Sequence, residues 1–462
     1  MTFSQAGLAY DIPPSAHRVL SVLEGAGHEA WVVGGWVRDA LRGAPSHDVD
    51  ICCSAHWEES ARLLRAADIV VHETGTAHGT ITAVVDGEPV EVTTFREEGA
   101  YSDHRHPDGV RFVADAAADL GRRDFTVNAI AYHPERGLLD PYSGKEDLAA
   151  GVIRAVGEPR ARFSEDALRV LRAVRFAARL GFSIEPATQA ALGAAASDLA
   201  YVAQERIGQE LTGIVASGRV GWALMEETEV MVAALPELAP SVGFDQRSIY
   251  HAYDVLEHTA HVCRAVEAFT AGMATLELRW AALLHDIGKP ATFTLDAQGR
   301  GHFFGHPGES ARQAQALLRR LAIPKDQAAR IVSLVRYHDR LMWPEPRSVR
   351  KMLYRLEREC PGQAYSLIHQ LFNLKRGDAI SKVARVANYA VDIDAMECIA
   401  REETRAHVPL TVRELAIDGN DVMAEGVSAG PDVGLALDLA LEAVLDGTVP
   451  NERAALLSYL HW

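Results

Sequence analysis

The chain has 462 residues, room for about three domains at roughly 100–200 residues each, and its 48% hydrophobic content suits globular domains with a sizeable core. A formal net charge of −17 argues against nucleic-acid binding through overall charge, so such a partner needs a local basic patch. Five scattered cysteines without CxxC spacing exclude a disulfide or zinc framework, and with neither a signal-peptide pattern nor a bilayer-length apolar run they predict a cytoplasmic protein with no membrane partner. In chain order, Leu20–Ala26 closes a helix and Ala30–Val33 is a short apolar strand before Gly34-Gly35. His47–Cys52 reads as a second strand, and Thr80–Val85 and Val90–Phe95 flank Asp86-Gly87 as a hairpin. This predicts an α+β head with a small mixed or antiparallel sheet, not a regular βαβ array. From about Ser164 onward, apolar residues recur three and four apart, the period of packed helices. Polar breaks at Gly243–Tyr250 and Pro344–Pro346 complete the expected division: a head over 1–163, a helical neck over 164–242, a third domain over 243–385 and a helical body over 386–462.

Four motifs in the head carry chemistry. Gly34-Gly35-Trp36-Val37-Arg38-Asp39 lies between an apolar strand and a helix. Paired glycines let backbone approach a phosphate, and a helix N-terminus with Arg38 favours its charge. In Asp48-Val49-Asp50 the carboxylates are two apart, on one face of a strand, where they repel unless a cation lies between them. Oxygen-only ligands suit Mg²⁺. Glu91, in Val90–Arg96, is a candidate third carboxylate on the same sheet, with an ordinary exposed strand residue as the alternative. Arg122-Arg123-Asp124-Phe125-Thr126-Val127-Asn128-Ala129 gathers two guanidiniums, a carboxylate and an amide before what reads as an apolar helix.

Together these motifs resemble the nucleotidyltransferase superfamily of DNA polymerase β type, and more closely bacterial class II transfer-RNA nucleotidyltransferases and their poly(A) polymerase relatives. The resemblance implies phosphoryl transfer at a Mg²⁺ site built on Asp48 and Asp50, with Glu91 as a further catalytic candidate. It implies that Gly34, Gly35 and Arg38 hold the triphosphate, and that Arg123, Asp124 and Asn128 hold the nucleotide sugar and phosphates.

The neck supplies the basic patch. Ser164 reads as the N-cap of a helix with acids in its first turn, and Arg169, Arg172, Arg175 and Arg179 then share one face, with Val170, Leu171, Val174, Ala177 and Ala178 on another. A solvated arginine face would have the same spacing. Asp166 and Arg169 are one turn apart; a carboxylate only accepts hydrogen bonds and a guanidinium only donates. Cytosine and adenine present an amine beside a ring acceptor; uracil and guanine present the reverse order. The pair would therefore accept C and A and leave its own groups unsatisfied against U and G. Glu165-Asp-Ala-Leu-Arg169 followed by Val-Leu-Arg-Ala-Val-Arg-Phe176 resembles the amino-acid template of class II CCA-adding enzymes, which adds Arg172 and Arg175 to the nucleotide-binding candidates. Glu205-Arg206-Ile207 and Glu210 resemble the helix that follows in that family. The polar stretch between Arg96 and Val110 corresponds to the family's flexible loop, which supports the switch from adding C to adding A.

A second site is expected further along. Trp280–Leu284 is an apolar helix ending in His285-Asp286, an adjacent pair that needs polar partners if buried. With His258 and Asp378 it resembles the metal-ligand set of HD phosphohydrolases, and His306 and His338 fall where relatives hold a second metal. Imidazole plus carboxylate suits Mn²⁺, Fe²⁺, Ni²⁺ or Mg²⁺. Some CCA-adding enzymes carry such a domain with phosphatase or cyclic-phosphodiesterase activity, and the resemblance extends that activity to this chain as an expectation. The expected function is template-independent addition or repair of the 3′-terminal CCA of tRNA with CTP and ATP. The alternatives are addition of A alone, poly(A) synthesis, or an HD phosphohydrolase whose N-terminal half only grips RNA. Oligomeric state is not legible in the sequence.

Overall fold

A computed structural model describes residues 11–46, 48–98, 110–250, 252–382 and 388–460. They form two compact units, 1–203 and 204–462, so the expected neck contributes to both.

The first unit is built on a seven-stranded sheet. Its strands are β1 (Ala30–Val33), β2 (Asp50–Cys53), β3 (Val70–His72), β4 (Thr80–Val85) and β5 (Glu88–Thr94), a separate pair β6 (Arg96–Glu98) and β7 (Val110–Phe112), then β8 (Ala131–His133) and β9 (Gly137–Leu139). The sheet order is β3-β4-β5-β2-β1-β8-β9, antiparallel except where β2 pairs with β5 in parallel. The β4–β5 hairpin turns at Asp86 and Gly87 with φ of 52° and 86°, the two positive angles of the turn that matches strand twist. Helix α1 (Pro14–Gly25) buries Ala16, Val19, Leu20 and Leu23, an i, i+3, i+4, i+7 stripe, and packs with α3 (Trp57–Ala66) against the sheet. Helix α2 (Gly35–Leu41) follows β1 directly. On the opposite sheet face, Trp31, Val33, Cys52, Phe95 and Leu120 form a core with α4 (Ala116–Gly121). The unit continues through α5 (Gly144–Ala150), α6 (Pro159–Glu165), α7 (Leu168–Leu180) and α8 (Pro186–Ala195).

Three local expectations are corrected. β2 begins at Asp50, so Asp48 and Val49 lead into the strand, and His47 lies outside the described residues. The run after Arg122–Asn128 is not a helix: a short turn over Thr126–Asn128 leads into β8, because Ile130, Ala131 and Tyr132 are buried beside β1 and a short apolar run is ambiguous between strand and helix. Ser164 is not an N-cap. It lies inside α6, and the break falls at Asp166, whose backbone is extended (φ −140°, ψ 105°) and whose Oδ1 accepts from the Leu168 N–H at 3.0 Å.

Among the described residues, the second unit is helical apart from one short hairpin, Thr294–Leu295 with Gly301–His302. Its helices begin with α9 (Gln204–Ala216), α10 (Val220–Glu226), α11 (Thr228–Ala234), α12 (Val255–Phe269), α13 (Leu276–Leu284) and α14 (Lys289–Thr292). They continue with α15 (His306–Arg320), α16 (Lys325–Tyr337), α17 (Pro346–Glu359), α18 (Ala364–Ile380) and α19 (Asn388–Ala406), and end with α20 (Gly419–Ala424), α21 (Pro431–Leu445) and α22 (Arg453–Leu460). α12, α13, α16 and α18 pack together as its centre. Ile207, Glu210 and Leu211 of α9 are buried. No described helix is long and apolar enough to cross a membrane.

Candidate functional sites

In the first unit, strand register brings the predicted acids together. Asp50 is directly opposite Val33 on one side and Glu91 on the other, so Asp50 and Glu91 share a sheet face. Asp48, two residues before Asp50, and Glu91 are both exposed, and Asp50 is half-buried. Burial, then the charge of Glu91, pushes the Asp50 carboxyl above its usual range; Arg123 opposes this and Asp48 adds to it. That mutual repulsion among oxygen ligands is the condition a divalent cation relieves, so the donor set fits a hard metal.

Gly34 has φ 76° and ψ −132°, a conformation suited to glycine. A Cβ there would lie 3.0 Å from Arg123 Nη1 and 3.6 Å from Asp50 Oδ2, so the glycine backbone, an arginine and the acid face converge. Arg38 is buried rather than presented on the surface. Its Nε and Nη2 donate to the Asp39 carboxylate at 2.9 and 2.8 Å, and its Nη1 donates to Asn128 Oδ1 at 2.8 Å. Asn128 in turn donates to Asp124 Oδ1 at 3.1 Å, and Arg172 donates to Asp124 Oδ2 at 2.9 and 2.6 Å. Burial would raise the Asp124 carboxyl, but the Arg172 charge, hydrogen bonds from Asn128 and Arg172, and Arg169 hold it down at about 2. These groups form one chain of contacts from α2 to α7.

The second half of that chain is the α6–α7 break. Arg169 is buried; its Nη1 pairs with Glu165 and donates to the Arg162 carbonyl at 3.1 Å, and its Nη2 donates to the Arg122 carbonyl at 3.2 Å. Asp166 stands in the extended link before α7, where its side chain takes the Leu168 N–H and its carbonyl takes the Arg169 N–H at 2.9 Å, so the two residues are one turn apart across the helix start. Arg38, Arg172 and Arg175 surround the Phe176 ring at 5.3, 5.5 and 4.3 Å from its centroid. Arg179 is exposed. The loop expected between Arg96 and Val110 lies outside the described residues from 99 to 109.

The second unit buries a denser cluster. His258 (α12), His285 (after α13), Asp286, His306 (start of α15), His338 (after α16) and Asp378 (α18) are at most 7% exposed. Ligand atoms of His258, His285 and Asp378 lie within 4.8 Å of one another, as do those of Asp286, His306 and His338. Asp286 stands between the groups. Its Oδ2 is 3.1 Å from His285 Nε2 and 3.4 Å from His258 Nε2, and its Oδ1 is 3.4 Å from His306 Nε2 and 3.6 Å from His338 Nε2.

The imidazoles are aimed by the backbone. Nδ1 of His285, His306 and His338 lies 2.9, 2.9 and 2.7 Å from the carbonyls of Ala282, Phe303 and Val335. A carbonyl only accepts, so each Nδ1 carries a proton and Nε2 is the nitrogen turned to the cluster, the one a metal would take in place of a proton. His306 and His338 place these Nε2 atoms 3.2 Å apart, where two acceptors need a cation or proton between them. Burial opposes charge on Asp286 and Asp378, yet both are held well below the usual carboxylate range, Asp286 by His285 and Lys289 and Asp378 by Lys382 and His258. The lysine contacts are 2.7 Å (Lys289 to Asp286) and 2.5 Å (Lys382 to Asp378). The nitrogen and oxygen donor set fits a transition-series divalent ion.

Sequence reasoning missed the supporting residues. Asp39 holds Arg38, and Asp119, fully buried, accepts from Arg122 Nε at 2.9 Å with Arg123 Nη2 at 3.7 Å. Lys289 and Lys382 balance the second cluster. The signal was present as helical spacing: Asp119 is three and four residues before its arginines, and the lysines follow their aspartates by three and four.

The chain is similar to known proteins over most of its length. A family profile described as the poly A polymerase head domain matches residues 30–154. One for an RNA- and SrmB-binding site of polymerase A matches 181–241, and one for tRNA nucleotidyltransferase domain 2 matches 303–460. The chain is 33% identical over 446 residues to a CCA-adding enzyme of Lacticaseibacillus paracasei, covering 95% of this chain and 94% of that one. A CCA-adding enzyme of Geobacillus thermodenitrificans is 33% identical over 96% and 95% of the two chains. The crystal structure of the Bacillus stearothermophilus CCA-adding enzyme in complex with CTP superposes with a TM-score of 0.70 at 28% identity, over 97% of each chain.

Proposed function

The chain belongs to the CCA-adding enzyme family, and we propose from that premise that it adds or repairs the 3′-terminal CCA of transfer RNA, without a template, from CTP and ATP. The observation that carries this reading is the convergence of Asp50, Glu91, Arg123 and the Gly34 backbone, joined through Asp124 and Arg172 to the Asp166–Arg169 segment. One end suits a triphosphate and the other a base.

In this reading Asp48 and Asp50, with Glu91 beside them, hold Mg²⁺, which when bound supplies activation of the RNA 3′-hydroxyl and neutralises triphosphate charge. The Gly34-Gly35 backbone and the N-terminus of α2 cradle phosphate oxygens. Arg38 acts from below, holding Asn128 and through it Asp124, so the sugar-binding groups stay in place between turnovers. Asp166 accepts the exocyclic amine of C or A, and Arg169, fixed by three partners, donates to the adjacent ring acceptor. The test is a tRNA transcript lacking its terminal CCA, given each nucleoside triphosphate singly and then CTP with ATP. Incorporation of C, C and then A is expected; incorporation of A alone, or of long A tracts, would transfer the assignment to the alternative enzymes.

The buried cluster of the second unit supports a second activity in the same chain, hydrolysis of a phosphoester at a divalent-metal centre of HD type. His258, His285, Asp286 and Asp378 would hold one ion, and Asp286, His306 and His338 favour a second. Bound metal supplies Lewis acidity and an activated water. We assign residues 1–163 to the transferase head, 164–242 to the neck, 243–385 to this metal-binding domain and 386–462 to the C-terminal body.

A further inference from the structure

Asp119 is a buried carboxylate outside both the acid face and the base-reading segment of the first unit. It lies in α4, the helix whose Ala116 and Leu120 enter the core on that side of the sheet, and its side chain is 0% exposed. A charge so placed is costly unless its partners replace the lost hydration. Its two oxygens are served differently. Oδ1 accepts from Arg122 Nε at 2.9 Å and from the Arg96 N–H, at the start of β6, at 3.3 Å. Oδ2 accepts no hydrogen bond among the described residues; Arg123 Nη2 faces it at 3.7 Å. At that distance the contact is an ion pair without a hydrogen bond.

The Arg123 guanidinium reaches from this oxygen to the acid face. Nη2 is turned to Asp119, and Nη1 is the atom that a Cβ at Gly34 would approach to 3.0 Å, with Asp50 Oδ2 3.6 Å from the same point. Its Nε is buried with no hydrogen bond among the described residues. Asp119 therefore aims Arg123 by charge and does not take up its donors, as a short bidentate pair would. Arg122 is the bonded partner, and its own carbonyl takes Arg169 Nη2 at 3.2 Å.

We propose that Asp119 is a positioning residue for nucleotide binding: its Oδ2 holds the Arg123 guanidinium at the Gly34–Asp50 end by charge alone and leaves the guanidinium donors for the phosphate oxygens of the incoming triphosphate. The proposal rests on the nucleotide-addition reading of the first unit. Asp119 acts through Arg123 and not on the nucleotide itself. Asp119→Asn separates its two duties. The amide oxygen keeps Arg122 Nε and the Arg96 N–H, because the reverse orientation would set an NH₂ group against two donors. The NH₂ group then faces Arg123, donor against donor, and the charge that aimed the guanidinium is gone.

The test is calorimetric titration of the full-length protein, with Mg²⁺, using cytidine 5′-(β,γ-imido)triphosphate and CMP. Any binding at the second unit is the same in each protein and cancels. Asp119→Asn should weaken the triphosphate about tenfold, the order of one hydrogen bond to a charged group. CMP affinity, and the preference for CTP over UTP in addition to tRNA, should stay within about twofold of wild type, since the Arg122 arm is intact. Arg123→Gln should weaken the triphosphate at least as much, and adding Asp119→Asn to it should cost nothing further, because Asp119 acts through Arg123. Unchanged triphosphate affinity in Asp119→Asn, an equal loss for CMP, or additive losses in the double variant overturns the proposal. If Asp119→Asn does not fold, Asp119→Ser is read in the same way, and failure of both to fold makes Asp119 a core residue and also overturns it. The underlying reading is scored separately by wild type. No addition of CTP to a tRNA lacking its end removes that reading, whereas normal addition with triphosphate affinity unchanged in Asp119→Asn removes the role of Asp119 alone.

Discussion

The two acid-bearing sites handle the same problem, negative charge gathered at one point, in opposite ways. On the sheet of the first unit, Asp48 and Glu91 are exposed and Asp50 is pushed up by burial and by Glu91. In the second unit Asp286 and Asp378 are buried, but Lys289, Lys382 and the imidazoles hold them ionised. The first arrangement is incomplete until a cation arrives, and an exposed hard-ligand site suits an ion that comes and goes with a triphosphate. The second is enclosed, with side chains preset by backbone carbonyls, and suits a resident ion. Burial, more than ligand identity, separates a transient metal site from a resident one.

The largest expected effect tests whether the sites are separate. Asp50→Ala should lower nucleotide addition by a thousandfold or more, since a metal's share of transition-state stabilisation is several kcal/mol. The metal content of the purified protein should stay at the wild-type level, because in the proposed assignment the resident ion is held by the second unit. Loss of bound metal in Asp50→Ala would break the comparison.

The mirror experiment is His285→Ala. Elemental analysis should show resident metal in wild type and little in the variant, with phosphoester hydrolysis lost and CCA addition within about twofold of wild type, as expected of sites that share no residue. A wild-type protein without metal and inert with added Ni²⁺, Mn²⁺ or Mg²⁺ would make the second cluster structural.

Next in size is an effect of pH on the first unit. The Asp124 carboxyl is held at about 2 by Arg172 and Asn128 against its burial, below the unfolded value of roughly 3.9. A depressed carboxyl stabilises the fold above its unfolded value and loses that contribution as pH falls through the folded one. The contribution, about 2–3 kcal/mol, should therefore be complete above about pH 5 and decline toward pH 2. The check is urea unfolding of wild type and Asp124→Asn: the gap should be largest near pH 6 and smaller at pH 3.5, and a constant gap would remove the charge of Asp124 as its cause.

The smallest effect sharpens the role of the α6–α7 link. Asp166→Ala should reduce discrimination of CTP against UTP by about 1–3 kcal/mol, the cost of one unsatisfied buried polar group, while slower addition of C and A persists. The ratio of kcat/KM for the two nucleotides reads this directly, and an unchanged ratio would leave the link with only its capping role.

How much of this was legible beforehand differs between the units. In the head the DxD spacing, the paired glycines and the hairpin at Asp86-Gly87 are local signals, and strand periodicity sets which side chains share a face. Glu91 could be only a candidate, because its register against Asp50 depends on β2 and β5 pairing in parallel across 41 positions of sequence. The Ser164 and Ile130 misreadings have the same origin: Ser164 has N-cap chemistry and Ile130–Tyr132 an apolar run, but neighbours fixed the helix break at Asp166 and recruited the run as a strand beside β1.

The sequence by itself determined the residue types, their local periods and therefore the chemistry on offer: oxygen ligands in the head, imidazole and carboxylate in the second unit, arginines on α7. Only the tertiary structure decided how those groups are used. It buried Arg38 and set Asn128 against it across 90 positions, joined Arg172 to Asp124, fixed Arg169 on the Arg122 carbonyl, and buried Asp286 and Asp378 beside their helix-spaced lysines. Local sequence fixes direction along a strand or helix within a few residues, whereas burial and long-range partners are set by packing between segments, and the electrostatic balance of each site follows from that packing.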